Sequence, residues 1–262
     1  AHRLITEYET VKLVLKKYPF KKIDKFIQEI FWRIYWKGWL ELRPKVWTDF
    51  TEDLKKIKED ENYLKAVNGE TVIECVNDWV KELIDSNYLH NHTRMLFASI
   101  WIFTLGLPWQ KGAEFFMKHL YDGDAAANTL GWRWVAGIQT QGKNYLASEW
   151  NIKKFTNNRF DNIKLNENAL PKLSNKTYSA SKLEFINPPG LEEKNLLIFE
   201  NNLSFEITDF NNHKFEKIFL ISNKNENRII KLCEKVIKFK SKLIEDQKKR
   251  LEEKSIKCEI ID

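Results

Sequence analysis

Between Leu89 and Ser148 the chain gathers the side chains whose chemistry asks for an explanation. Arg94 opens an otherwise apolar stretch, Asp122-Gly123-Asp124 makes an acidic turn, Asn128 follows one helical turn on, and Trp132 and Trp134 come next. A guanidinium beside apolar surface needs a carboxylate, because an unpaired buried charge is expensive; Asp122 is a candidate. Asn128 carries a donor and an acceptor and stands at i+4 from Asp124, so a helix would put both on one face. Polar groups converging in a tryptophan-rich helical core suit a planar heteroaromatic ligand. The same residue types also build ordinary cores, in which Arg–Asp pairs are structural and aromatic clusters are packing. Spacing alone names no ligand.

The elements that must position these groups follow from periodicity. Ile23 to Leu40 carries Ile23, Phe26, Ile27, Ile30, Phe31 and Ile34 at helical spacing. Thr71–Asn87 reads the same way, and Arg94–Leu107 is apolar enough to be a buried helix ended by Gly106-Leu107-Pro108. Lys111–Tyr121 and Ala125–Ile138 are further helices around the Asp122-Gly123-Asp124 turn. No strand pattern precedes residue 164. Later the period changes: Leu196–Phe199 and Lys217–Ser222 are short apolar runs, Asn225–Lys254 is a long amphipathic helix, and Ile256–Ile261 is another strand. Asn187-Pro188-Pro189-Gly190 is a turn signal. The fold class is mainly α: an all-helical domain over 1–164, then a small α/β (βαβ) unit over 165–262 with a parallel sheet.

Composition supports that division. All ten tryptophans precede residue 151, and eight of nine glycines precede residue 143. With 43% hydrophobic and 31% charged residues in 262, the chain is too apolar to be disordered. It has no run of 18 apolar residues to span a membrane, and the charged N-terminal stretch has no signal-peptide h-region. Cys75, Cys233 and Cys258 are odd in number and far apart, so neither a disulfide framework nor a zinc site is expected, and a reducing, cytoplasmic setting fits. The net charge of +6 permits an anionic partner without requiring one. A start without Met at Ala1 and an end on a strand read as a fragment or a trimmed chain.

The motifs H-N-x-x-R-M, D-G-D-x-A-x-N and G-W-x-W then come together. Here they are His90, Asn91, Arg94 and Met95; Asp122, Gly123, Asp124, Ala126 and Asn128; and Gly131, Trp132 and Trp134. With an upstream E-x-x-W-R at Glu29, Trp32 and Arg33, they resemble the flavin-binding helical domain of the DNA photolyase/cryptochrome family over about residues 20–160.

The resemblance implies FAD as cofactor. It implies an Arg94–Asp122 salt bridge beside the isoalloxazine ring, Gly123 and Asp124 against the flavin and its ribityl chain, and Asn128 facing flavin N5. Arg33 and Asn91 would lie near the adenine and ring side of a U-shaped FAD, and Phe26 stands where some relatives carry a flavin-contacting tryptophan. Glu29, Trp32, Met95 and Trp134 match the pocket for a cyclobutane pyrimidine dimer. Asn91 and Met95 replace histidines of the relatives that act on (6-4) photoproducts, which favours the cyclobutane class. His92 stands where repair enzymes often carry a basic, DNA-contacting residue. Trp132 and Trp109 match the flavin-proximal and middle members of the electron-transfer chain. The distal position is Ala66, with Trp101, Trp79 and Tyr121 as alternatives. The family's Ser/Thr-rich phosphate loop and its antenna domain fall upstream of Ala1.

The implied function is light-dependent repair of cyclobutane pyrimidine dimers in DNA, by electron transfer from reduced FAD, in a deoxyribodipyrimidine photolyase-type lyase. A cryptochrome-like blue-light receptor without repair is the alternative, and a flavin-free helical module is the third reading. The partner would be dimer-containing DNA, with no metal and no membrane. Trp32 and Trp134 would stack on flipped-out bases, worth about 1–3 kcal/mol per base. Glu29 would bond a base edge. Because the chemistry needs no nucleophile, His90, His92 and His119 read as structural. In the stretch 31–39, half of the rings should enter the core, leaving Trp32, Arg33 and Trp36 for the surface. The lysines between 238 and 257 alternate with glutamates and read as a solvated face.

Overall fold

In the computed structural model, residues 2–182, 194–205 and 214–261 are described. The Asn187–Gly190 turn lies outside them. The chain is mainly α with one three-stranded parallel sheet, and no strand precedes Asn195 among the described residues. It divides into two compact units, one of residues 1–39 with 181–262 and one of residues 40–180. This partition by contacts follows a different line from the compositional break at 164/165.

The first unit joins two N-terminal helices to the α/β segment. Helix α1 (Glu7–Leu15) starts at a reciprocal cap in which Thr6 Oγ1 accepts from Glu9 N while Glu9 accepts from Thr6 N. Helix α2 (Phe20–Glu41) begins in this unit and buries Ile23 and Ile27. Its aromatic stretch corrects the expectation above. Phe31, Trp32 and Tyr35 are exposed, Trp36 and Trp39 are half-buried, and no ring between 31 and 39 is buried. The core face of this helix is supplied by the isoleucines of its first half, and the rings pack on one another instead, Trp32 lying 5.6 Å from Trp36 and 5.3 Å from Tyr35.

Strands β1 (Asn195–Phe199), β2 (Lys217–Ile221) and β3 (Cys258–Ile261) are all parallel, in the order β1-β2-β3. Parallel neighbours require a crossover, and α10 (Glu234–Glu253) supplies it between β2 and β3. Ile198, Ile218 and Leu220 pack with Ile244 and Leu251 of α10. That helix starts nine residues after the Asn225 read from periodicity. The Asn225 side chain closes a loop, accepting from Leu232 N at 2.9 Å and donating to Leu232 O at 3.2 Å, and only then does the helix begin.

At the end of β1, Glu200 is buried between Arg228, bonded through two nitrogens at 2.9 and 2.6 Å, and Lys240 at 3.1 Å. Burial pushes its carboxyl pKa up, but the two cations outweigh it and hold the group below the ordinary 4.5. A depressed acid stabilises the fold above its unfolded value, and that contribution is lost as pH falls through the folded one. Glu200→Gln is therefore expected to lose about 1–3 kcal/mol at neutral pH, the usual loss when a charged bond is broken. The gap to wild type should close in acid. Urea unfolding across pH measures this, and a pH-independent gap would contradict it.

The second unit is a helical cluster of α3 (Lys45–Lys56), α4 (Glu61–Asn68), α5 (Glu74–Ser86), α6 (Asn91–Ser99), α7 (Trp109–His119), α8 (Ala125–Ala136) and α9 (Glu149–Phe155). Its punctuation is legible. Asp60 caps α4 through Tyr63 N, and α4 stops at Gly69, whose φ of 69° a side chain would strain and whose missing Cβ would lie 2.9 Å from Asn77 O. Helix α6 continues as a π-helical turn, Ile100–Thr104, closed by Leu105 N to Ile100 O at 2.9 Å. Phe97, Ile100, Trp101, Ile102, Phe116, Leu130 and Trp132 form the apolar centre. No helix among the described residues is long and apolar enough to cross a membrane.

Candidate functional site

Helices α6, α7 and α8 and the turn between the last two position the polar groups of the second unit. Arg94, in the first turn of α6, is fixed at three nitrogens. Nε donates to Leu89 O at 2.8 Å, and the two terminal nitrogens donate to Asp122 Oδ2 and Oδ1 at 3.1 and 3.0 Å. The fork-on-fork geometry gives orientation as well as attraction. The guanidinium also stands 5.4 Å from the centre of the Tyr88 ring. The pair is not sealed in: the Arg94 and Asp122 side chains keep 21% and 32% of their exposure. Its polar edge therefore borders solvent-accessible space rather than packed core.

Two residues on, Asp124 ends the turn and starts α8. One carboxylate oxygen accepts from Ala126 N at 3.1 Å and Ala127 N at 2.9 Å, a cap that satisfies two otherwise open amides. Gly123 lets the turn close on Leu120 O, its added Cβ being 3.2 Å from that oxygen. Asn128 follows one turn into α8 and is half-buried, with Nδ2 donating to Ala113 O of α7 at 2.8 Å. That bond fixes which way the amide faces. One turn further along α8, Trp132 is buried, edge-on to Phe97, Trp101 and Phe116. A planar heteroaromatic with polar edges fits such a set of groups: a buried indole, a fixed cation–anion pair that keeps some exposure, and an amide of set orientation.

The other expected residues of this unit are placed as follows. Asn91 is the exposed first residue of α6 and Met95 is half-buried one turn on. His92 meets the Phe155 ring edge-on at 4.6 Å, and burial, then the nearby His90, lower its pKa, so it is uncharged at neutral pH. Trp134 is half-buried and stacks on Tyr145 at 5.8 Å. Trp109 stacks on Phe50 at 5.3 Å and lines a cavity of about 540 Å³. Phe26, Glu29, Trp32 and Arg33 lie on α2, in the first unit, and are exposed there.

Sequence reasoning missed several participants. Gly112 sits inside α7, and an added Cβ would be 2.2 Å from the Trp132 ring tip and 3.0 Å from Trp101 Nε1. A glycine in a helix interior costs about 1 kcal/mol relative to alanine, and that cost was the available signal. The cavity wall also carries a network without a sequence signature. Tyr178 donates to Asp49 at 2.9 Å, buried Arg133 stands 5.4 Å from the Tyr178 ring centre, and Lys176 reaches Asp49 and Asp53. These charges engage one another. Among the described residues no group of His, Cys, Asp and Glu is arranged to hold a metal. The cysteines are free thiols, and burial pushes that of Cys75 up to about 12.

Comparison with known proteins gives concordant matches. Residues 26–175, more than half of the chain, match the family model described as the FAD binding domain of DNA photolyase. The deoxyribodipyrimidine photo-lyase of Buchnera aphidicola is 28% identical over 226 residues, covering 76% of this chain and 46% of that protein. The enzyme of the same name from Streptomyces griseus is 34% identical over 119 residues, covering 45% and 26%, and that from Escherichia coli 29% over 129 residues, covering 46% and 26%. A crystal structure of a bacterial class III photolyase from Agrobacterium tumefaciens is 25% identical, with a TM-score of 0.46, over 55% of this chain and 31% of that one. The chain spans less than half the length of these curated relatives.

Proposed function

The chain belongs to the family of the FAD binding domain of DNA photolyase, and from that premise we propose that it takes part in light-dependent repair of cyclobutane pyrimidine dimers in DNA. FAD is the cofactor of this family, and the donor set fits it. The observation that supports the reading is the bidentate, part-exposed Arg94–Asp122 pair, with Asn128 held by Ala113 O and Trp132 buried one turn further along α8. When bound, reduced FAD supplies on excitation the electron that opens the cyclobutane ring, and takes it back.

The chain's own residues orient and exclude water. Arg94 and Asp122 would hold a ring edge through their fixed fork, Asp124 braces the turn that carries Asp122, and Asn128 would offer its amide to a ring nitrogen that changes protonation. On the substrate side, Trp134 would offer a flat face for a base, and Met95 and Asn91 would join it from α6; His92, being uncharged, contributes shape rather than charge. A dimer stacks poorly in duplex DNA, so it is extruded more cheaply than intact bases. Trp132 and Trp109 would carry electrons toward the flavin.

Illumination of the FAD-loaded, reduced chain with a dimer-containing oligonucleotide tests this. Dimer loss in light and not in darkness is the expected result. Flavin absorption without dimer loss would favour a blue-light receptor, and failure to take up flavin would leave a flavin-free module. A second expectation concerns Asn128→Asp. A carboxylate cannot donate to Ala113 O, so the bond is lost at about 1–3 kcal/mol, and a negative charge replaces the amide. The flavin redox state that accumulates under light, read from the visible spectrum, should change; an unchanged state would contradict the place given to Asn128.

A further inference from the structure

The cavity beside Trp109 has a wall of mixed character. Its volume, about 540 Å³, lies in the ordinary range of small-molecule sites. Trp109, Phe50, Ile102 and Leu107 give it an apolar side, on which the Trp109 and Phe50 rings stack at 5.3 Å and 19°. None of Arg94, Asp122, Asp124 and Asn128 lines it, so its chemistry stands apart from the flavin reading. The rest of the wall is charged. Asp49 accepts from Tyr178 at 2.9 Å and lies 3.4 Å from Lys176 Nζ, which also stands 3.2 Å from Asp53. Both carboxylates are thereby engaged.

Arg133 lines the same cavity and is 6% exposed. Its Nε donates to Gln139 Oε1 at 3.1 Å, and its guanidinium stands 5.4 Å from the Tyr178 ring centre. Both neighbours are neutral, and among the described residues no carboxylate forms an ion pair with it. Burial pulls its pKa down, and neither Tyr178 nor the more distant Asp49 charge restores it. A buried cation without a carboxylate is expensive, and an anion from outside the chain would supply what the fold withholds. Helix α7 opens on the same space. Pro108, Trp109 and Gln110 line it, and no side chain caps the helix, so its first amides are left for solvent or a ligand.

We propose that this cavity binds a small aromatic carboxylate, its ring against Trp109 and its carboxylate on Arg133 and the opening amides of α7. The charge count selects a monoanion. Arg133, Lys172 and Lys176 face Asp49 and Asp53, which leaves one positive charge to be met. A phosphate dianion would overshoot it, close to two carboxylates. Exposed Lys172 adds attraction without a fixed bond to the ligand.

Isothermal titration calorimetry of the whole chain with naphthoate tests the site against three controls. Acetate has the charge without the ring, naphthalenemethanol the ring without the charge, and naphthyl phosphate a second charge. Naphthoate should bind about tenfold tighter than each of them, or more. Arg133→Gln should weaken it about tenfold to a hundredfold, the loss of a charge-assisted bond, with the circular dichroism of wild type. Should that buried variant fail to fold, Lys172→Gln, on an exposed side chain, should still weaken binding about threefold. The Trp109 indole N–H resonance, identified by its loss in Trp109→Phe, should shift as naphthoate binds. Equal binding of naphthalenemethanol, tighter binding of naphthyl phosphate, full affinity in folded Arg133→Gln, or a Trp109 resonance that stays in place would overturn the proposal. Displacement of naphthoate by FAD would overturn it too, by making the cavity the flavin's own place. Naphthoate binding unchanged beside FAD would support a second site, whether or not the chain repairs dimers.

Discussion

Gly112→Ala is expected to destabilise the helical unit by about 2 kcal/mol or more, although it replaces a poor helix former with the best one. The propensity gain is about 1 kcal/mol. Against it stands a methyl group 2.2 Å from Trp132 Cη2, 2.4 Å from Cζ3 and 3.0 Å from Trp101 Nε1. Carbon atoms pack at about 3.5–4.0 Å, so relief requires movement of more than an ångström. Both indoles are buried, Trp101 completely, and their rings are wedged among Phe97, Phe115 and Phe116. Overpacking of this kind costs about 1–3 kcal/mol and more when large rings cannot turn aside. For a chain of this size the net loss corresponds to a fall of about 4–8 °C in Tm. Thermal unfolding followed by near-UV circular dichroism measures it, and an unchanged or raised Tm would contradict the packing described. Because the displaced ring is Trp132, flavin retention should fall with it.

Asp122→Asn is expected to weaken FAD retention about tenfold to a hundredfold, which is about 1.4–2.8 kcal/mol. Arg94 keeps its bond to Leu89 O and its place near Tyr88, so the helix end survives. What is lost is one member of a bidentate, charge-assisted pair at 3.0 and 3.1 Å. An asparagine offers one acceptor where the fork needs two, and it leaves the guanidinium uncompensated. Bonds to charged groups contribute about 1.5–3 kcal/mol, and the partial exposure of both side chains puts the effect at the lower end of that range for stability. Binding suffers more, because the pair sets the orientation of the ring edge. Arg94→Lys is the companion: it keeps the charge, removes the fork, and should weaken retention in the same direction. Equilibrium titration with FAD checks both, and wild-type affinity in Asp122→Asn would contradict the role given to the pair.

The legible parts of this molecule are those in which local signals agree. Helix α8 could be read from Ala125 because Asp124 is a strong cap, whereas its end, expected at Ile138, comes at Ala136 because Gly137 adopts a φ of 83°. Pairing of Arg94 with Asp122 followed from the cost of an isolated cation. The start of α10 was not legible, because Ile229, Ile230 and Leu232 continue the apolar period while the Asn225 side chain holds the backbone in a loop. The surface of α2 was misread for a related reason: aromatic residues at helical spacing signal a core face, yet Phe31, Trp32 and Tyr35 remain exposed. The Asp49–Tyr178–Arg133 network joins groups up to 129 residues apart. No spacing rule reaches that far, and only the folded chain reveals it.

The central claim is that Arg94, Asp122, Asp124 and Asn128 surround one flavin ring above Trp132. A crystal structure of the chain with FAD tests it most directly. The account predicts the isoalloxazine edge on the Arg94–Asp122 pair, Asn128 at the ring's central nitrogen, and Trp132 as the nearest indole. An isoalloxazine bound elsewhere, for instance in the cavity beside Trp109 and Tyr178 with the Arg94–Asp122 pair left untouched, would contradict it.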